Sequence, residues 1–412
     1  MKEHRYILDT RTATAHFPGI GRYVRNLAQT LPPLLANDER LLILWNPSDP
    51  TAWNPSALAN PQVEIVPTPV SSFALRQQWT IPRLLRQMSR SQFAIRNSQI
   101  YHSTYYLMPY RPGAPTLLTV YDLIALLHPQ TVSLRARLFF RVATRLALAA
   151  SERIVTISAS ARDDLLAHFS VAAGRVTAIP LAADPRFRPQ PASEIERVRT
   201  KYDLPNQYIF YLGINKPHKN LPRLVDAYTH LHNTQYAIHN TPLIIAGAWD
   251  DRYPESRALA APLGNAVRFL GPVDDADLPG LHSAAALFAF PSLYEGFGLP
   301  VLEAMACGAP VVCGNRSSLP EVAGEAGLLV DPTDTEAIAG AIQRVVEDDG
   351  LRRSLGEKSL AQAANFSWQR TAAETLAVYR EITAHPLPTS PAWGRNRSTS
   401  LPRMGRGVGW GG

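Results

Sequence analysis

The chain has 412 residues, 46% of them hydrophobic and 18% charged, a composition typical of a globular protein large enough for two domains. No apolar run reaches the ~20 residues that span a bilayer, and the N-terminal MKEHRYILDTRTA lacks the apolar core of a secretion signal. Of the formal net charge of +7, four charges are arginines in the acid-free segment after Ala384, which leaves +3. A charge this small excludes net charge as an argument for a nucleic-acid partner.

The cysteines and the C-terminal tail indicate the compartment and the extent of order. Cys307 and Cys313 are the only cysteines, and their positions beside an apolar strand are typical of buried thiols rather than a disulfide. Two free thiols fit a reducing cytoplasm, where we expect the protein. Residues 384–412 are rich in Pro, Gly, Ser and Arg, and we predict that this tail is disordered because it buries too little apolar surface.

In chain order, the first half alternates short apolar strands with helices. A strand at 5–8 leads through a loop into a helix whose apolar residues recur at helical spacing from Ile20 to Leu31. Ser158 or Ser160 is the expected N-cap of a later helix. Repeated strand–helix units predict a parallel sheet with right-handed crossovers. The further strands are predicted at 41–45, 63–66, 100–102, 116–120, 153–156 and 176–179, and the further helices at 135–150 and 160–168.

The second half repeats the pattern after a proline-rich stretch at 179–193, which we interpret as a linker. The fold class is therefore α/β, with two facing Rossmann-like domains of parallel strands and a ligand cleft between them. We expect domains at 1–185 and 186–367, and a closing helix at 368–383 that packs back toward the N-terminal domain. The strands are predicted at 208–212, 243–246, 267–270, 286–290, 310–313 and 327–330, and the other helices at 221–231, 277–283, 300–306 and 335–353.

The segment FPSLYEGFGLPVLE, residues 290–303, has the densest set of candidate binding groups. Its loop lies between a strand and a helix N-terminus, where backbone amides attract phosphate and sugar hydroxyl groups, and Gly296 and Gly298 allow close approach. Glu295 in the loop and Glu303 in the helix are acceptor-only groups suited to adjacent hydroxyls of a ribose or hexose. Alternatively, Glu303 complements the helix dipole and Glu295 is merely solvated.

Glu295 and Glu303, separated by seven residues inside PSLYEGFGLPVLEAMACGAPVV, resemble the paired-glutamate motif of the retaining glycosyltransferases of family 4, which have the GT-B fold. The resemblance covers the chain from Arg5 to about Ile382. It implies a nucleoside diphosphate sugar as donor, no required metal or other cofactor, and retention of the anomeric configuration. It also implies that Glu303 binds the ribose and Glu295 faces the donor sugar. The backbone amides that would contact sugar and phosphate belong to Gly296, Phe297, Gly298 and Leu299.

A second candidate follows the strand at 208–212, in the segment YLGINKPHKNL. Lys219 would place a compact positive charge beside the departing diphosphate, whose developing charge needs a cation. The resemblance assigns this work to Lys219, helped in the family by an arginine shortly after the glycine. This chain has no arginine there, and Lys216 is the nearest substitute. Alternatively, Lys219 is a surface lysine at the start of a helix.

The loop FPGIGRY joins the first strand to the first helix. It is not a complete dinucleotide-binding fingerprint, but its position suits a phosphate or sugar on the helix N-terminus. The resemblance implies a glycine loop over the donor diphosphate, so Gly19, Gly21 and Arg22 are candidates. The alternative is a turn needed only for packing.

Two further candidates follow predicted strands. Tyr121-Asp122 comes directly after the strand at 116–120, where related enzymes commonly have His-Asp with the histidine near the donor sugar. The Tyr121 hydroxyl would have to replace that contact. Asp122 is the expected acceptor-side or orienting carboxylate; alternatively, it caps the next helix. His102 ends another strand and is either a site residue or a structural histidine.

Asp275-Ala-Asp277 is a literal Asp-x-Asp, the metal-binding motif of the other major glycosyltransferase fold. Its position before a predicted helix favours a cap instead, and no His or carboxylate cluster at obvious metal spacing accompanies it. We therefore predict no metal site. By resemblance, residues 269–273 line the base pocket, and Asp274 or Asp275 is expected to contact a guanine edge.

Basic side chains accumulate in the N-terminal half, where residues 65–121 include six arginines and no acidic residue. A helix then follows in which a basic and an apolar stripe have the same spacing: Arg137, Arg141 and Arg145 beside Leu138, Val142 and Leu146. One interpretation is a solvated helix face. The other is contact with anionic lipid head groups or an anionic acceptor.

The combined hypothesis is retaining transfer of a hexose from a nucleoside diphosphate sugar to a hydroxyl of a glycan or lipid-linked acceptor. Mannose from a GDP-sugar is favoured because of the overall resemblance to bacterial polysaccharide mannosyltransferases. The alternatives are a GT-B epimerase or phosphorylase, and a catalytically silent nucleotide-sugar-binding relative. We expect a cytoplasmic protein with peripheral contact to an anionic membrane at its inner face, and no nucleic-acid partner.

Overall fold

A computed structural model of the protein describes residues 3–16, 18–89, 99–233 and 237–384. The first half forms a seven-stranded parallel sheet with strand order β3-β2-β1-β4-β5-β6-β7. All five residues of the fourth and fifth strands are buried, as expected for a parallel sheet covered on both faces. The strands are β1 (His4–Asp9), β2 (Glu39–Trp45), β3 (Val63–Pro67), β4 (Gln99–Ser103), β5 (Thr116–Val120), β6 (Arg153–Thr156) and β7 (Val176–Ala178).

Five α-helices accompany this sheet within the described residues. Ser133 and Ser158 are N-caps of the fourth and fifth of them, and each side chain accepts a hydrogen bond from the backbone N–H three residues later. Ser158 therefore confirms one of the two predicted caps. The helices are α1 (Pro18–Thr30), α2 (Gln77–Ser89), α3 (Ile124–Leu127), α4 (Leu134–Ala150) and α5 (Ala159–His168).

The second half forms a six-stranded parallel sheet with strand order β10-β9-β8-β11-β12-β13. Its strands are β8 (Ile209–Leu212), β9 (Leu243–Ala246), β10 (Val267–Gly271), β11 (Leu287–Phe290), β12 (Val311–Gly314) and β13 (Leu328–Val330). Its helices are α6 (Ala192–Tyr202), α7 (Leu221–His232), α8 (Glu255–Ala260), α9 (Leu278–Ala284), α10 (Leu299–Ala306), α11 (Leu319–Ala323), α12 (Thr335–Glu347) and α13 (Asp349–Ala363). Each sheet reverses its strand order next to its first strand, which places a crevice at the carboxyl ends of β1 and β4 and of β8 and β11.

Two sequence-based predictions of helices need correction. The single helix at 335–353 is wrong, because α12 ends at Glu347 and α13 begins at Asp349 and continues to Ala363. Asp348 causes the break, since its side chain accepts a hydrogen bond from Leu351 N and caps α13. Helix α2 was not predicted because Pro82 lies inside it and interrupts the helical signal.

The last described helix, α14 (Trp368–Ala384), lies against the N-terminal sheet. Its Tyr379 ring stacks on Tyr6 at 4.8 Å, and its Arg380 Nε lies 2.8 Å from Glu39 Oε1. Trp368 Nε1 donates to the carbonyl of Ala183. The domain boundaries at 185/186 and 367/368 stay predictions, and the tail from residue 385 onward lies outside the described residues.

His282 of α9 is fully buried among aromatic rings, with Phe210 and Phe288 at 5.2 and 5.0 Å between ring centroids. Neither ring nitrogen has a hydrogen-bond partner within the described part of the chain. Burial lowers the pKa of His282 to about 3, and nearby Arg22 lowers it further. The neutral ring is therefore the form that the folded protein accommodates.

Replacing His282 by Phe should weaken the acid sensitivity of the fold. Between the ordinary histidine pKa of about 6.5 and the folded value of about 3, the unfolded chain binds a proton that the folded chain refuses, so stability falls as pH decreases. We expect the loss of unfolding free energy between pH 7 and pH 5, measured by urea titration, to shrink by about 2 kcal/mol in His282→Phe. The exposed His168→Ala variant is the control, and an unchanged loss in His282→Phe would contradict the prediction.

Candidate functional site

The two halves of the chain meet at the loop between β11 and α10. Gly296 lies so close to the N-terminal half that a Cβ there would be 2.4 Å from the carbonyl oxygen of Tyr121 and 3.0 Å from Cβ of Asp122. Gly298 has a φ of +103° and begins α10 in a conformation that favours glycine. Both glycines of the motif are thus required by the backbone, one for contact between the halves and one for the turn into the helix.

Lys219 and Glu295 form a close ion pair at this loop. Lys219 Nζ lies 2.8 and 2.9 Å from the two carboxylate oxygens of Glu295, and 5.2 Å from the centre of the Phe290 ring. The Ser292 hydroxyl donates a third hydrogen bond to Glu295 at 2.6 Å. Both charged side chains are mostly buried. The two strongest candidates, found in separate segments, are therefore direct neighbours.

Asp122 faces this ion pair from the N-terminal half. Its Oδ1 accepts a hydrogen bond from Ile124 N at 2.9 Å, which fixes the turn before α3. Burial raises the pKa of Asp122, and Glu295 raises it further, while Lys219 and Lys216 lower it. These influences place the two acids and the two lysines in one electrostatic neighbourhood, as required for a shared site.

Glu303 of α10 is 1% exposed and pairs with Arg22 of α1. Burial raises the pKa of Glu303 to about 7, although the guanidinium of Arg22 opposes this shift. Arg22 also lies 2.8 Å from Asp275 Oδ1, and Arg186 lies 2.5 Å from the other oxygen of that carboxylate. Arg22 is therefore an ionic bridge between the N-terminal helix and the C-terminal half.

The glycine loop lies at the start of α1, and Phe17 of its motif is outside the described residues. Gly21 is buried, and a Cβ there would contact Ala13 at 3.6 Å. At Gly19, by contrast, a Cβ would meet no atom of the described residues within 4 Å. Packing accounts for Gly21 but leaves open space beside Gly19.

Tyr121 and His102 occupy different environments. The Tyr121 ring meets Tyr23 edge-on at 5.6 Å, and its buried hydroxyl has no hydrogen-bond partner among the described side chains and backbone. His102 is completely buried, with its ring nitrogens 2.7 Å from the Tyr379 hydroxyl and 2.8 Å from the Thr119 hydroxyl. His102 therefore joins α14 to the N-terminal sheet, whereas the Tyr121 hydroxyl is buried without a hydrogen-bond partner among the described residues.

The Asp-x-Asp segment binds basic side chains. Asp277 precedes α9, but within the described structure its carboxylate makes no capping hydrogen bond, so the predicted cap is wrong. It accepts instead from Lys201 at 2.6 Å, Tyr202 at 2.7 Å and Arg197 at 2.5 Å. Asp274 is exposed and also pairs with Lys201. Across the described ranges, no group of three or more His, Cys, Asp or Glu side chains could hold a metal ion.

A small cavity at the carboxyl ends of β8, β9 and β10 contains residues that the sequence analysis missed. The Arg257 guanidinium lies 4.1 Å from the Trp249 ring centroid and 5.5 Å from that of Phe269. The backbones of Gly213 and Gly247 form part of its wall. Phe269 and Gly271 of this wall fall in the stretch 269–273 predicted for the base pocket, whereas Trp249 and Arg257 were missed because they lie in a loop and a short helix without a recognisable motif.

Contacts across the cleft extend beyond the predicted residues. The Ser158 hydroxyl donates to the carbonyl of Gly296 at 2.7 Å. The Glu321 carboxylate accepts from the backbone N–H groups of Ala159 and Ser160, so an acid from one half caps a helix of the other. Tyr294 donates to Asp164. These bonds hold the cleft closed, and sequence patterns give no signal for them.

Comparison with known proteins agrees with this arrangement. Residues 193–362 match the family described as glycosyl transferases group 1, and residues 18–187 match glycosyltransferase family 4. The chain belongs to these glycosyltransferases. The O-antigen chain mannosyltransferase B of Escherichia coli is 35% identical over 71% of this chain and 77% of its own length. The fold-level prediction of a GT-B α/β protein is confirmed, and the donor of this enzyme is a nucleotide sugar.

Two other relatives extend the comparison. The serotype-specific mannosyltransferase WbdA of Escherichia coli is 34% identical over 54% of this chain, which spans only 28% of that protein. The sucrose-phosphate synthase of Thermosynechococcus elongatus has the same fold, with a TM-score of 0.71 and 23% identity over 93% of this chain and 100% of that chain. Among the described residues, no helix of this glycosyltransferase is long and apolar enough to cross a membrane.

Replacing Arg22 by Met should loosen the closed cleft. The change removes the partner of buried Glu303 and one of the partners of Asp275, so the pKa of Glu303 should rise further above about 7. We expect a larger radius of gyration in small-angle X-ray scattering of the nucleotide-free protein at pH 7.5. Arg25→Met on the same helix is the control, because Arg25 bonds only to the carbonyl of Gly21 among the contacts described. An unchanged radius would show that Arg22 does not hold the halves together.

Proposed function

We propose that this glycosyltransferase transfers mannose, with retention of configuration, from GDP-mannose to a hydroxyl of a glycan or lipid-linked acceptor. The observation on which the proposal rests is the pairing of Lys219 with Glu295 directly opposite Asp122. A cation, a hydroxyl-binding carboxylate and an acid of raised pKa then interact electrostatically where the two halves meet. Such a cluster suits a leaving diphosphate, a hexose and an attacking hydroxyl.

On the donor side, Lys219 stabilises the charge that develops on the departing diphosphate, with Lys216 as a second cation. Glu295 orients the hexose. Glu303 exchanges its bond to Arg22 for the ribose hydroxyls, which frees Arg22 for the phosphates. The space beside Gly19 leaves room for the donor next to Gly19 and Gly21. The remaining donor contacts come from backbone amides at the start of α10: Gly296, Phe297, Gly298 and Leu299.

On the acceptor side, Asp122 orients the attacking hydroxyl. Its raised pKa makes it a better proton acceptor than an ordinary aspartate. The bond between the anomeric carbon and the diphosphate oxygen breaks, and the acceptor oxygen bonds to the same face of that carbon. The closed cleft excludes water, which limits hydrolysis of the donor.

The preference for GDP-mannose has two supports. Relatives that match most or half of this chain are named mannosyltransferases. The Arg257 guanidinium lies beside the Trp249 and Phe269 rings at the carboxyl ends of the C-terminal strands, and arginine is well matched to the O6 and N7 acceptors of guanine. Asp274, the earlier candidate for the guanine edge, would first have to leave Lys201.

Binding of the donor nucleotide should depend on Glu303 and Lys219. In a thermal-shift screen with GDP, UDP, ADP and dTDP and their sugars, we expect the largest stabilisation from GDP and GDP-mannose. Glu303→Ala should remove most of this shift, because the ribose loses its acceptor. Lys219→Ala should lower kcat about 100- to 1,000-fold, because the leaving group loses its cation. Glu325→Ala, an exposed site, is the control. If no nucleotide raised the melting temperature of folded wild-type protein, the proposal would be wrong.

We further propose peripheral contact with an anionic membrane at the cytoplasmic face. The apolar stripe on α4 is exposed: Leu138 is 62%, Val142 50% and Leu146 45% exposed. The helix buries small residues instead, including Ala143 and Ala147. The exposed side, named here the basic-apolar face, consists of Leu134, Arg135, Leu138, Phe139, Arg141, Val142, Arg145 and Leu146. Exposed apolar side chains among arginines suit the boundary between lipid head groups and acyl chains.

Neutralising this face should abolish binding to anionic vesicles. Exchanging Arg135, Arg141 and Arg145 for Gln removes roughly 1 kcal/mol of attraction per charge, so we expect an approximately 100-fold weaker partition. The measurement is co-sedimentation with 3:1 phosphatidylcholine–phosphatidylglycerol vesicles at low salt. The control exchanges three exposed arginines outside α4, Arg252, Arg353 and Arg370. Equal sedimentation of both triple variants would mean that α4 has a solvated face only.

A further inference from the structure

A row of aromatic side chains extends from the surface of the N-terminal half to the neighbourhood of Asp122. Successive ring centroids are 6.5 Å apart between Phe73 and Tyr105, 4.3 Å between Tyr105 and Tyr106, and 4.9 Å between Tyr106 and Phe140. We name these four residues the aromatic row. Phe73 is 50% exposed, and the other three are half-buried, so the row presents its rings to solvent.

The two tyrosines in the middle of the row, Tyr105 and Tyr106, make it polar near Asp122. Burial, the neighbouring Tyr106 and the charge of Asp122 all raise the pKa of Tyr105, and Asp122 also raises the pKa of Tyr106. Tyr105 in turn raises the pKa of Tyr121, whose hydroxyl has no hydrogen-bond partner within the described residues. Tyr105 and Tyr106 therefore lie close enough to Asp122 to interact with its charge, and Tyr121 directly precedes Asp122 in the chain.

The outer end lies beside the glycine loop. The Phe73 ring meets the exposed His16 ring edge-on at 5.9 Å, and His16 precedes Gly19 by three positions. The row thus begins beside the loop proposed to cover the donor phosphates.

We propose that the aromatic row binds the sugar units of the acceptor glycan that precede the reacting one. A pyranose ring has an apolar face of C–H groups and a rim of hydroxyls, and aromatic rings with hydroxyls along one edge match both features. Because Tyr105 and Tyr106 of the row lie near Asp122, the occupant must be continuous with the sugar whose hydroxyl attacks. This inference rests on the proposed function, and it adds that the acceptor is an oligosaccharide recognised over at least two units.

The test compares acceptors of increasing length with GDP-mannose as donor: methyl α-mannoside, α-mannobiose and α-mannotriose. In the wild type, we expect KM to fall as the acceptor lengthens. Phe73→Ala should raise the KM of mannotriose roughly tenfold and leave kcat and the KM of methyl mannoside unchanged, since only the distal units lose a stacking partner. Tyr105→Phe should raise KM for the longer acceptors less, because it removes one hydroxyl and keeps the ring.

Trp79→Ala is the matched control, because Trp79 is an exposed aromatic side chain on α2 outside the row, at 61% against 50% for Phe73. Direct contact is measured by saturation-transfer NMR of mannotriose with the GDP-loaded protein, which should lose intensity in Phe73→Ala only. Unchanged KM and NMR signals in the row variants, or no saturation transfer to any probe in the wild type, would overturn the inference. Octyl mannoside serves as a fourth acceptor. If the row variants raise KM for octyl mannoside alone, the inference is also overturned, because the row would then bind a lipid chain. If the wild-type protein bound no nucleotide in a separate measurement, the proposed function would be refuted instead.

Discussion

Residue 296 has no room for a side chain, and this constraint determines how the two halves of the chain come together. With the Cβ position 2.4 Å from the carbonyl oxygen of Tyr121, only glycine lets the backbone of one half rest on the backbone of the other. That contact brings the loop after β11 against the turn after β5. Glu295 precedes Gly296, and Asp122 follows Tyr121. The contact between Gly296 and Tyr121 therefore brings these two carboxylates into the same region.

The same contact concentrates charge in a space with little water. A buried carboxylate is costly unless a cation and further hydrogen bonds satisfy it, and the protein supplies Lys219 and Ser292 to Glu295 and Arg22 to Glu303. Each of these cations is also suited to a phosphate. On the proposed function, the nucleotide-free site satisfies its acids with groups that the donor would recruit, so donor binding would exchange partners instead of creating buried charges.

Much of the fold and part of the site followed from the sequence. The alternation of apolar strands with helices predicted both parallel sheets, and the motif around Glu295 and Glu303 located the loop. The pairing of Glu303 with Arg22 was not foreseen, because 281 positions separate them and their contact depends on how two independent sheets pack. Arg257 was missed for a related reason. It became a candidate only because the fold places it beside the rings of Trp249 and Phe269.

Helix α4 shows a different limit of sequence patterns. Its large apolar residues form a regular stripe, which normally indicates the side that packs on a sheet. The structure buries the side with Ala143 and Ala147 and exposes the stripe. Periodicity locates a stripe but does not say what covers it, and a close helix–sheet contact here selects small side chains over large ones.

The packing of α14 on the N-terminal sheet means that the chain passes between the halves twice. It first crosses after β7, and it returns between α13 and Trp368. Two adjacent chain crossings restrain the motion of one half relative to the other. They permit rotation about one axis and oppose twisting or separation of the halves. This restraint favours the register in which Gly296 lies against the carbonyl of Tyr121.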